Sequence, residues 1–321
     1  MSVRIASLSP YPEEVVRGLL DPGEDVDVTL VPPAPDPAAV LAAVAGADLV
    51  LADKRHRHRL DRATLAAMER CRLVQQPAVG FDAIDHRAAA EFGIPVANAA
   101  GYNRDAVADW TVMAVLNLVR DGALADRAMR RGEWPIGRMH GRELGALTVG
   151  IVGLGNVGNA VAERVRAFGS RVLFTDAVPR SLPGATAMPL DRLLDESDVV
   201  TVHVPLDNDT RHLIGDAELG RMKPGAILVN ASRGPVVDED ALVRALGSGR
   251  LGGAALDVFE VEPLAADSPL RSLENVFMTP HSGGLTDEAE ARLLEVCGAN
   301  LRRVMAGLEP FNVVNGVTRK R

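Results

Sequence analysis

A short apolar run, Val149 to Val152, leads straight into Gly153, Gly155 and Gly158 at G-x-G-x-x-G spacing, and Asn159 to Phe168 follows as a helix-forming segment. Strand, tight turn and helix in that order admit few folds. The first glycine lets the chain turn, the second lets backbone come close to a phosphate group, and the third lets the helix pack near the strand. The N–H groups and dipole of the first helical turn then face an anion, so the spacing predicts a cradle for a dinucleotide pyrophosphate. Alone, the motif also fits a glycine-rich turn that binds nothing. The next apolar run, from Arg171, ends in Asp176, about 20 residues on, where a carboxylate can meet an adenosine ribose. Such a carboxylate accepts ribose hydroxyls and repels a 2′-phosphate, which selects NAD over NADP. Two other uses of this stretch stay open: Asp176 as a turn or capping residue, and Arg180 as a partner for a phosphate.

The remainder of the chain repeats the same alternation. Val3–Ala6, Val26–Val31, Ala47–Ala52, Leu73–Gln75 and Pro95–Asn98 read as strands, with helices at Glu13–Leu20, Ala38–Ala45, Asp61–Cys71 and His86–Phe92 between them. That pattern predicts a parallel sheet covered by helices on both faces. Ala106 to Val119 is a long helix, apolar nearly all round, read as a connector buried between domains or subunits. From Thr148 a second series begins, with strands at Arg171–Asp176, Val199–Pro205, Ala226–Asn230 and Ala254–Phe259 and a helix at Asp238–Leu246. The amphipathic segment Asp287–Met305 follows the second sheet and is read as returning to the first domain. The expected architecture is α/β, with two doubly wound parallel-sheet domains. Residues 101–285 form a Rossmann nucleotide domain that includes the connector helix. Residues 1–100 with 286–321 form a smaller, flavodoxin-like substrate domain.

A chain of 321 residues suits two domains, and its net charge of −8 gives no electrostatic footprint for nucleic acid or an anionic membrane. Cys71 and Cys297 are too few for a disulfide framework or a cysteine-rich zinc site, and no metal is expected. Met1 to Pro12 lacks the apolar core of a signal peptide, and no apolar stretch is long enough to span a bilayer, so a cytoplasmic location is expected. The prolines at 32, 33, 35 and 37 read as a stiff surface connection, and Thr318–Arg321 as a solvated tail.

Three side chains suit carbonyl chemistry. Arg233, in Asn230-Ala-Ser-Arg-Gly234, follows the end of an expected strand, where ligands of open α/β sheets bind, and a guanidinium can clamp a carboxylate with two parallel hydrogen bonds. His281, in Thr279-Pro-His-Ser-Gly-Gly284, has the side chain whose ordinary pKa suits proton exchange near neutrality. Glu262, in Asp257-Val-Phe-Glu-Val-Glu-Pro263, can orient that imidazole and favour its charged form. The plainer alternatives are a surface arginine, a turn histidine and a solvated carboxylate, and spacing does not decide between the two sets.

The stretches Val149–Gly158, His203-Val-Pro-Leu206, Asn230–Asp238, Leu256–Phe259 with Glu262-Pro263, and Thr279–His281 together resemble the D-isomer-specific 2-hydroxyacid dehydrogenase family. Val79-Gly-Phe-Asp-Ala-Ile-Asp85 and Asn103–Asp109 are similar to its N-terminal motifs, so the likeness runs over most of the chain. It implies that Arg233 binds and polarises a 2-oxo acid, that His281 is the acid/base and that Glu262 is its partner. It implies NAD held by Gly153, Gly155, Asn156, Val157 and Gly158, with Asp176 on the ribose. His203, Val204 and Pro205 join the cofactor site, as do Ala231 and Ser232 before Arg233. Asp257 and backbone at Ala231 would hold the carboxamide, with Gly283 beside His281. Backbone at Val79 and Gly80, after Ala78, would meet the substrate carboxylate. A homodimer around the 106–119 helix is implied as well. Two positions depart from the family pattern: Ala78 stands where glycine is frequent, and Asp109 where glutamate is usual. Glu262 argues against the formate dehydrogenase branch, which has glutamine there, and Val79 against phosphite dehydrogenases, which carry lysine.

The run Lys54-Arg-His-Arg-His-Arg59 follows directly on an expected strand, so Arg55 or Arg57 can bind a second anionic group on the substrate, or the run is a solvated loop. The function expected is therefore an NAD-dependent oxidoreductase of a small 2-hydroxy or 2-oxo acid resembling glyoxylate or hydroxypyruvate. One alternative is a specialised enzyme for a phosphorylated or phosphonate acid such as 3-phosphoglycerate or phosphonopyruvate. Another, of a different class, is an NAD-binding regulator or corepressor without turnover.

Overall fold

The computed structural model describes residues 2–34 and 36–317; Pro35 of the proline-rich connection and the tail 318–321 lie outside the described residues. The elements run β1 (Val3–Ser7), α1 (Glu13–Arg17), β2 (Val26–Leu30), α2 (Pro37–Ala45), β3 (Leu49–Leu51), α3 (Arg62–Ala66), β4 (Leu73–Gln75), α4 (His86–Glu91) and β5 (Val96–Ala97). They continue as α5 (Arg104–Val119), α6 (Gly122–Arg130), β6 (Thr148–Val152), α7 (Asn156–Ala167), β7 (Arg171–Thr175), β8 (Ala185–Ala187), α8 (Leu190–Glu196) and β9 (Val199–Val202). The last are α9 (Asp216–Arg221), β10 (Ile227–Asn230), α10 (Glu239–Gly247), β11 (Gly253–Leu256), β12 (Val276–Met278) and α11 (Asp287–Met305). Two compact units result, one of Met1–Asn103 with Thr286–Arg321, the other of Arg104–Leu285.

In the first unit five strands pair in the order β2-β1-β3-β4-β5, all parallel, the flavodoxin-like arrangement. The strands are short, and the core behind them is aliphatic: Val40 and Val44 of α2, Leu65 of α3 and Ala88 and Ala89 of α4 pack with Val50 and Val74. Helix α11 belongs here. Its Asn300 amide donates to Gln75 Oε1 (2.8 Å) at the end of β4 and accepts from the Phe311 N–H (2.7 Å), and both Asn300 and Gln75 are fully buried. A buried amide that meets its partners in this way does not suffer the cost of an unsatisfied polar group.

The second unit has seven parallel strands in the order β12-β11-β10-β9-β6-β7-β8. Counted within the unit this is the Rossmann order, and the chain reverses direction across the sheet between β6 and β9. Successive residues of a strand serve opposite faces. Val199, Val229 and Ala255 join the cluster under α5 and α7, whereas Val200, Leu228 and Ala254 join the one under α8, α9 and α10. This explains why the strands read as unbroken apolar runs. Gly150 is confined by the same packing, since a Cβ there would lie 2.3 Å from Ser197 Oγ.

The apolar character of α5 is satisfied largely by the unit's own sheet and by α7, with Trp110, Val112, Val115 and Val119 buried. Asp109, Met113 and Arg120 are exposed on one stripe, so the helix is less uniformly apolar than the sequence suggests. The strands ending at Val202 and Leu256 are shorter than expected, because Val204–Pro205 and Asp257–Phe259 have already left the sheet as site-bearing loops. Among the described residues no helix is long and apolar enough to cross a membrane.

Candidate active site

The glycine loop leaves β6 through Gly153, whose φ of +94° a side chain rarely tolerates, and a Cβ there would also lie 2.7 Å from the His203 carbonyl oxygen. Gly158 is excluded from bearing a side chain by the Gly153 carbonyl oxygen, 2.0 Å from its ideal Cβ. Gly155 is different. A Cβ on it meets nothing within 4 Å, and its φ of −77° suits any residue, so the protein's own packing does not explain the glycine. Helix α7 begins at Asn156 with Gly155 as its N-cap and no capping side chain. That leaves the N–H groups of Asn156, Val157 and Gly158 without helical acceptors. An open cradle without a Cβ beneath unshared N–H donors fits a pyrophosphate. The helix starts three residues earlier than its apolar pattern indicates, which places Gly158 inside the first turn.

Asp176 follows β7 and fastens this loop. Its Oδ2 accepts from Leu154 N–H (2.8 Å) and its Oδ1 from Val178 N–H (3.0 Å), with Arg180 Nε 3.9 Å away. Two lone pairs remain for ribose hydroxyls. His203, after β9, pairs Nε2 with Thr201 Oγ1 (2.8 Å). Part of its surface is still open, yet the protein packed round the ring pushes its pKa down to about 4, so it is neutral near pH 7.

Three loops carry the candidate reactive groups. After β10, the buried Asn230 amide accepts from Ser232 N–H (3.0 Å) and donates to the Arg233 carbonyl (2.9 Å), which fixes Ala231–Arg233 as a rigid step. The Arg233 guanidinium donates through Nη1 to Ser232 O (2.8 Å). After β11 comes Asp257, 2% exposed. One of its carboxylate oxygens accepts from Ser282 N–H (2.8 Å) and the Thr279 hydroxyl, the other from Gly283 N–H (2.8 Å). His281 lies inside that clasp at a φ of +52°, with its N–H donating to Asp257 O (2.8 Å). Its Nδ1 donates to Glu262 Oε2 at 2.8 Å. Glu262 also accepts at Oε1 from the Phe259 N–H (3.1 Å).

Half-burial alone would raise the Glu262 carboxyl. The hydrogen bond and charge of His281, the Phe259 N–H and the Arg233 guanidinium outweigh it and hold the group below the ordinary carboxylate range. Glu262 thus holds Nδ1 of His281 by a hydrogen bond, which leaves Nε2 for proton exchange. The arrangement brings together a guanidinium, an oriented imidazole and a carboxylate beside a pyrophosphate cradle. Asn230 and Asp257 lie inside the motifs, but their bracing of the site loops was not read from the sequence. Each is a polar side chain at the end of an apolar strand, the one signal that could have pointed to that part.

In the first unit, Val79 is exposed on the loop after β4, and its carbonyl accepts from the Asn98 amide (2.7 Å). Ala78 O accepts from Ala99 N–H (3.0 Å), so the segment before Gly80 is also braced. The basic run divides. Lys54 pairs with Glu290, Arg57 with the buried Asp53 (3.1 Å), and His58 Nε2 with Pro32 O (3.1 Å). The Arg55 side chain is exposed and has no hydrogen-bond or ion-pair partner among the described residues.

The sequence profile of "D-isomer specific 2-hydroxyacid dehydrogenase, NAD binding domain" matches residues 112–283. The chain is 42% identical over 264 residues to a glyoxylate reductase of Korarchaeum cryptofilum, which covers 80% of each protein. It is 35% identical to a D-3-phosphoglycerate dehydrogenase of Methanocaldococcus jannaschii, over 98% of this chain and 59% of that one. The crystal structure of a D-lactate dehydrogenase of Aquifex aeolicus with NAD and lactic acid superposes with a TM-score of 0.84 at 31% identity, covering 97% of this chain and 99% of the other.

Proposed function

The chain belongs to the D-isomer specific 2-hydroxyacid dehydrogenase family and is a nicotinamide-dependent oxidoreductase; from that premise we propose that it reduces small 2-oxo acids with NADH, or oxidises the matching 2-hydroxy acids with NAD. The observation that carries this is the 2.8 Å pair of His281 and Glu262, near enough to Arg233 for its charge to be felt at the carboxylate. A nicotinamide dinucleotide held by the Gly153–Gly158 loop and Asp176 would supply or accept the hydride at the substrate carbon. Arg233 takes the substrate carboxylate and draws charge toward the carbonyl oxygen, where developing negative charge needs a preorganised cation. His281 gives that oxygen its proton in reduction and removes it in oxidation. Glu262 keeps the imidazole oriented through its hydrogen bond to Nδ1 while the proton is exchanged at Nε2. Asp257 and Asn230 exclude alternative loop positions, which holds the reacting groups in register.

The cofactor preference rests on Asp176, whose anchored carboxylate suits a ribose diol and disfavours a 2′-phosphate. Gly155 gives the direct test of the cradle. Gly155→Ala should leave the thermal midpoint unchanged, because its Cβ meets only open space, and should weaken NADH binding by roughly 5- to 150-fold, the effect of an overpacking cost of about 1–3 kcal/mol. Titration of NADH fluorescence together with thermal denaturation separates the two quantities. An equal loss of stability would mean that the loop itself needs the glycine.

Glyoxylate and hydroxypyruvate are the substrates proposed first. A second reading is a substrate with an additional anionic group, and the exposed Arg55, whose side chain has no partner among the described residues, favours it; Arg57, bound to Asp53, is a structural residue. Reaction rates with glyoxylate, hydroxypyruvate, pyruvate, phosphonopyruvate and phosphohydroxypyruvate test both, and absence of turnover with every acid despite NADH binding would refute the enzymatic assignment of the site. Arg55→Ala should lower kcat/KM for the doubly charged acids roughly 10- to 150-fold, the value of one charge-assisted hydrogen bond, and leave pyruvate unaffected. A homodimer is part of the same proposal. Met113, Met129, Trp134 and Ile136 of the second unit are all exposed, Trp134 to 76%. Exposed apolar side chains of this size suit a subunit interface.

A further inference from the structure

The loops holding Arg233 and Glu262 touch directly. A Cβ on Gly234 would lie 1.8 Å from the Phe259 carbonyl oxygen, so the backbone after Arg233 rests on the backbone before Glu262. A third loop, following β9, is tied to both. The His212 N–H donates to Pro235 O (2.8 Å), the Ile214 N–H to Val236 O (3.1 Å) and the Asp238 N–H to Ile214 O (3.0 Å). The His212 side chain reaches the other loop, with Nε2 2.9 Å from Glu260 Oε1. Glu260 is itself fixed, since its N–H donates to Glu239 Oε2 (3.0 Å) and Arg211 Nη1 lies 3.7 Å from the same Oε1.

An exposed histidine beside a half-buried glutamate ordinarily contributes little. This pair differs in what its ends are attached to. By its backbone His212 holds the loop of Arg233; by its side chain it holds the residue two before Glu262. It does so at a φ of +51°, a conformation that is unfavourable for a residue with a side chain and that persists where surrounding structure imposes it.

We propose that His212, together with Glu260, is a positioning residue for the reaction, fixing the loop of Glu262 against the loop of Arg233. It acts through those two groups. The inference rests on the assignment of Arg233, Glu262 and His281 as the reacting set.

The test uses His212→Gly, which removes the side chain and relaxes the left-handed backbone, together with Glu260→Ala, the double variant and Glu260→Gln. Measurements are kcat and KM for glyoxylate, the NADH dissociation constant, and the His281 Nδ1 proton resonance followed by NMR at fixed pH. Each single loss should lower kcat about tenfold, since small misplacements of reacting groups carry large penalties, with KM and NADH binding within about twofold. The double variant should be no worse than the worse single one. Glu260→Gln, which keeps an acceptor for His212, should recover most of the rate. The His281 Nδ1 proton resonance, which reports the hydrogen bond to Glu262, should move toward that of a solvent-bonded imidazole in both single variants, because Glu262 is held less firmly against Nδ1. Unchanged kcat in both single variants, or additive losses, would overturn the proposal, as would an unmoved Nδ1 resonance. The NMR readout needs no turnover. A wild-type protein inert toward every 2-oxo acid would therefore defeat the proposed activity, while the Nδ1 resonance would still decide the role of His212.

Discussion

His281→Ala should reduce kcat by roughly 10²- to 10⁴-fold while the NADH dissociation constant stays within about twofold of wild type. The imidazole is the one group here able to exchange a proton with the substrate oxygen near neutrality, and its side chain is half exposed, so little packing is lost with it. The backbone at this position is the complication. His281 adopts a φ of +52°, and asparagine tolerates that conformation better than alanine. His281→Asn should match His281→Ala in rate and exceed it in thermal midpoint. Steady-state kinetics with NADH fluorescence titration check the pair. Weakened cofactor binding to the same degree as the rate would assign the residue to the cofactor instead.

Arg233→Lys should lower kcat/KM for 2-oxo acids by about 10²- to 10³-fold, in the range found when one preorganised donor at a developing oxyanion is removed. Lysine keeps the charge and loses the planar fork, so the substitution isolates two-pronged geometry from electrostatics. Arg233→Ala should be worse still, and it should also raise the Glu262 carboxyl toward its ordinary value, because the guanidinium is one of the groups that hold it down. A guanidine salt added to Arg233→Ala should restore part of the rate if the side chain acts at the substrate. Equal kcat/KM for lysine and arginine forms would show that charge alone suffices.

The parts of the site that were legible in the sequence are those whose physics is local. Gly153 and Gly158 announce themselves because a turn and a close helix contact need them within ten residues of each other. The alternation of apolar runs gave the parallel sheets, since strands buried on both faces are continuous in Val, Leu, Ile and Ala. Two strands of three residues were not legible: β8, Ala185-Thr-Ala187, has almost no apolar signal, and β12 follows a stretch of irregular chain. The contact of His281 with Glu262 was open in the sequence because both residues lie on loops, where spacing carries no geometry. Asp257 was visible as part of a motif, but its clasp on Ser282 and Gly283 spans about a quarter of a hundred positions and exists only once the sheet has formed. The basic run shows the same limit from the other side. Four cations and two histidines in a row look equivalent as anion binders until Lys54 is found on Glu290 of α11 and Arg57 on Asp53.

That pairing of Lys54 with Glu290 belongs to a wider property of the first unit, which is made from both ends of the chain. Its closing helix, α11, buries Leu293, Cys297 and Leu301 completely and supplies Asn300 to Gln75. Glu290 also accepts from the Tyr11 hydroxyl (2.7 Å) at the opposite end of the sequence. During synthesis the second unit, continuous from Arg104 to Leu285, has all of its strands before α11 exists. The first unit, although its strands are translated earlier, must wait with an uncovered apolar surface until α11 emerges. The order of completion is therefore the reverse of the order of translation.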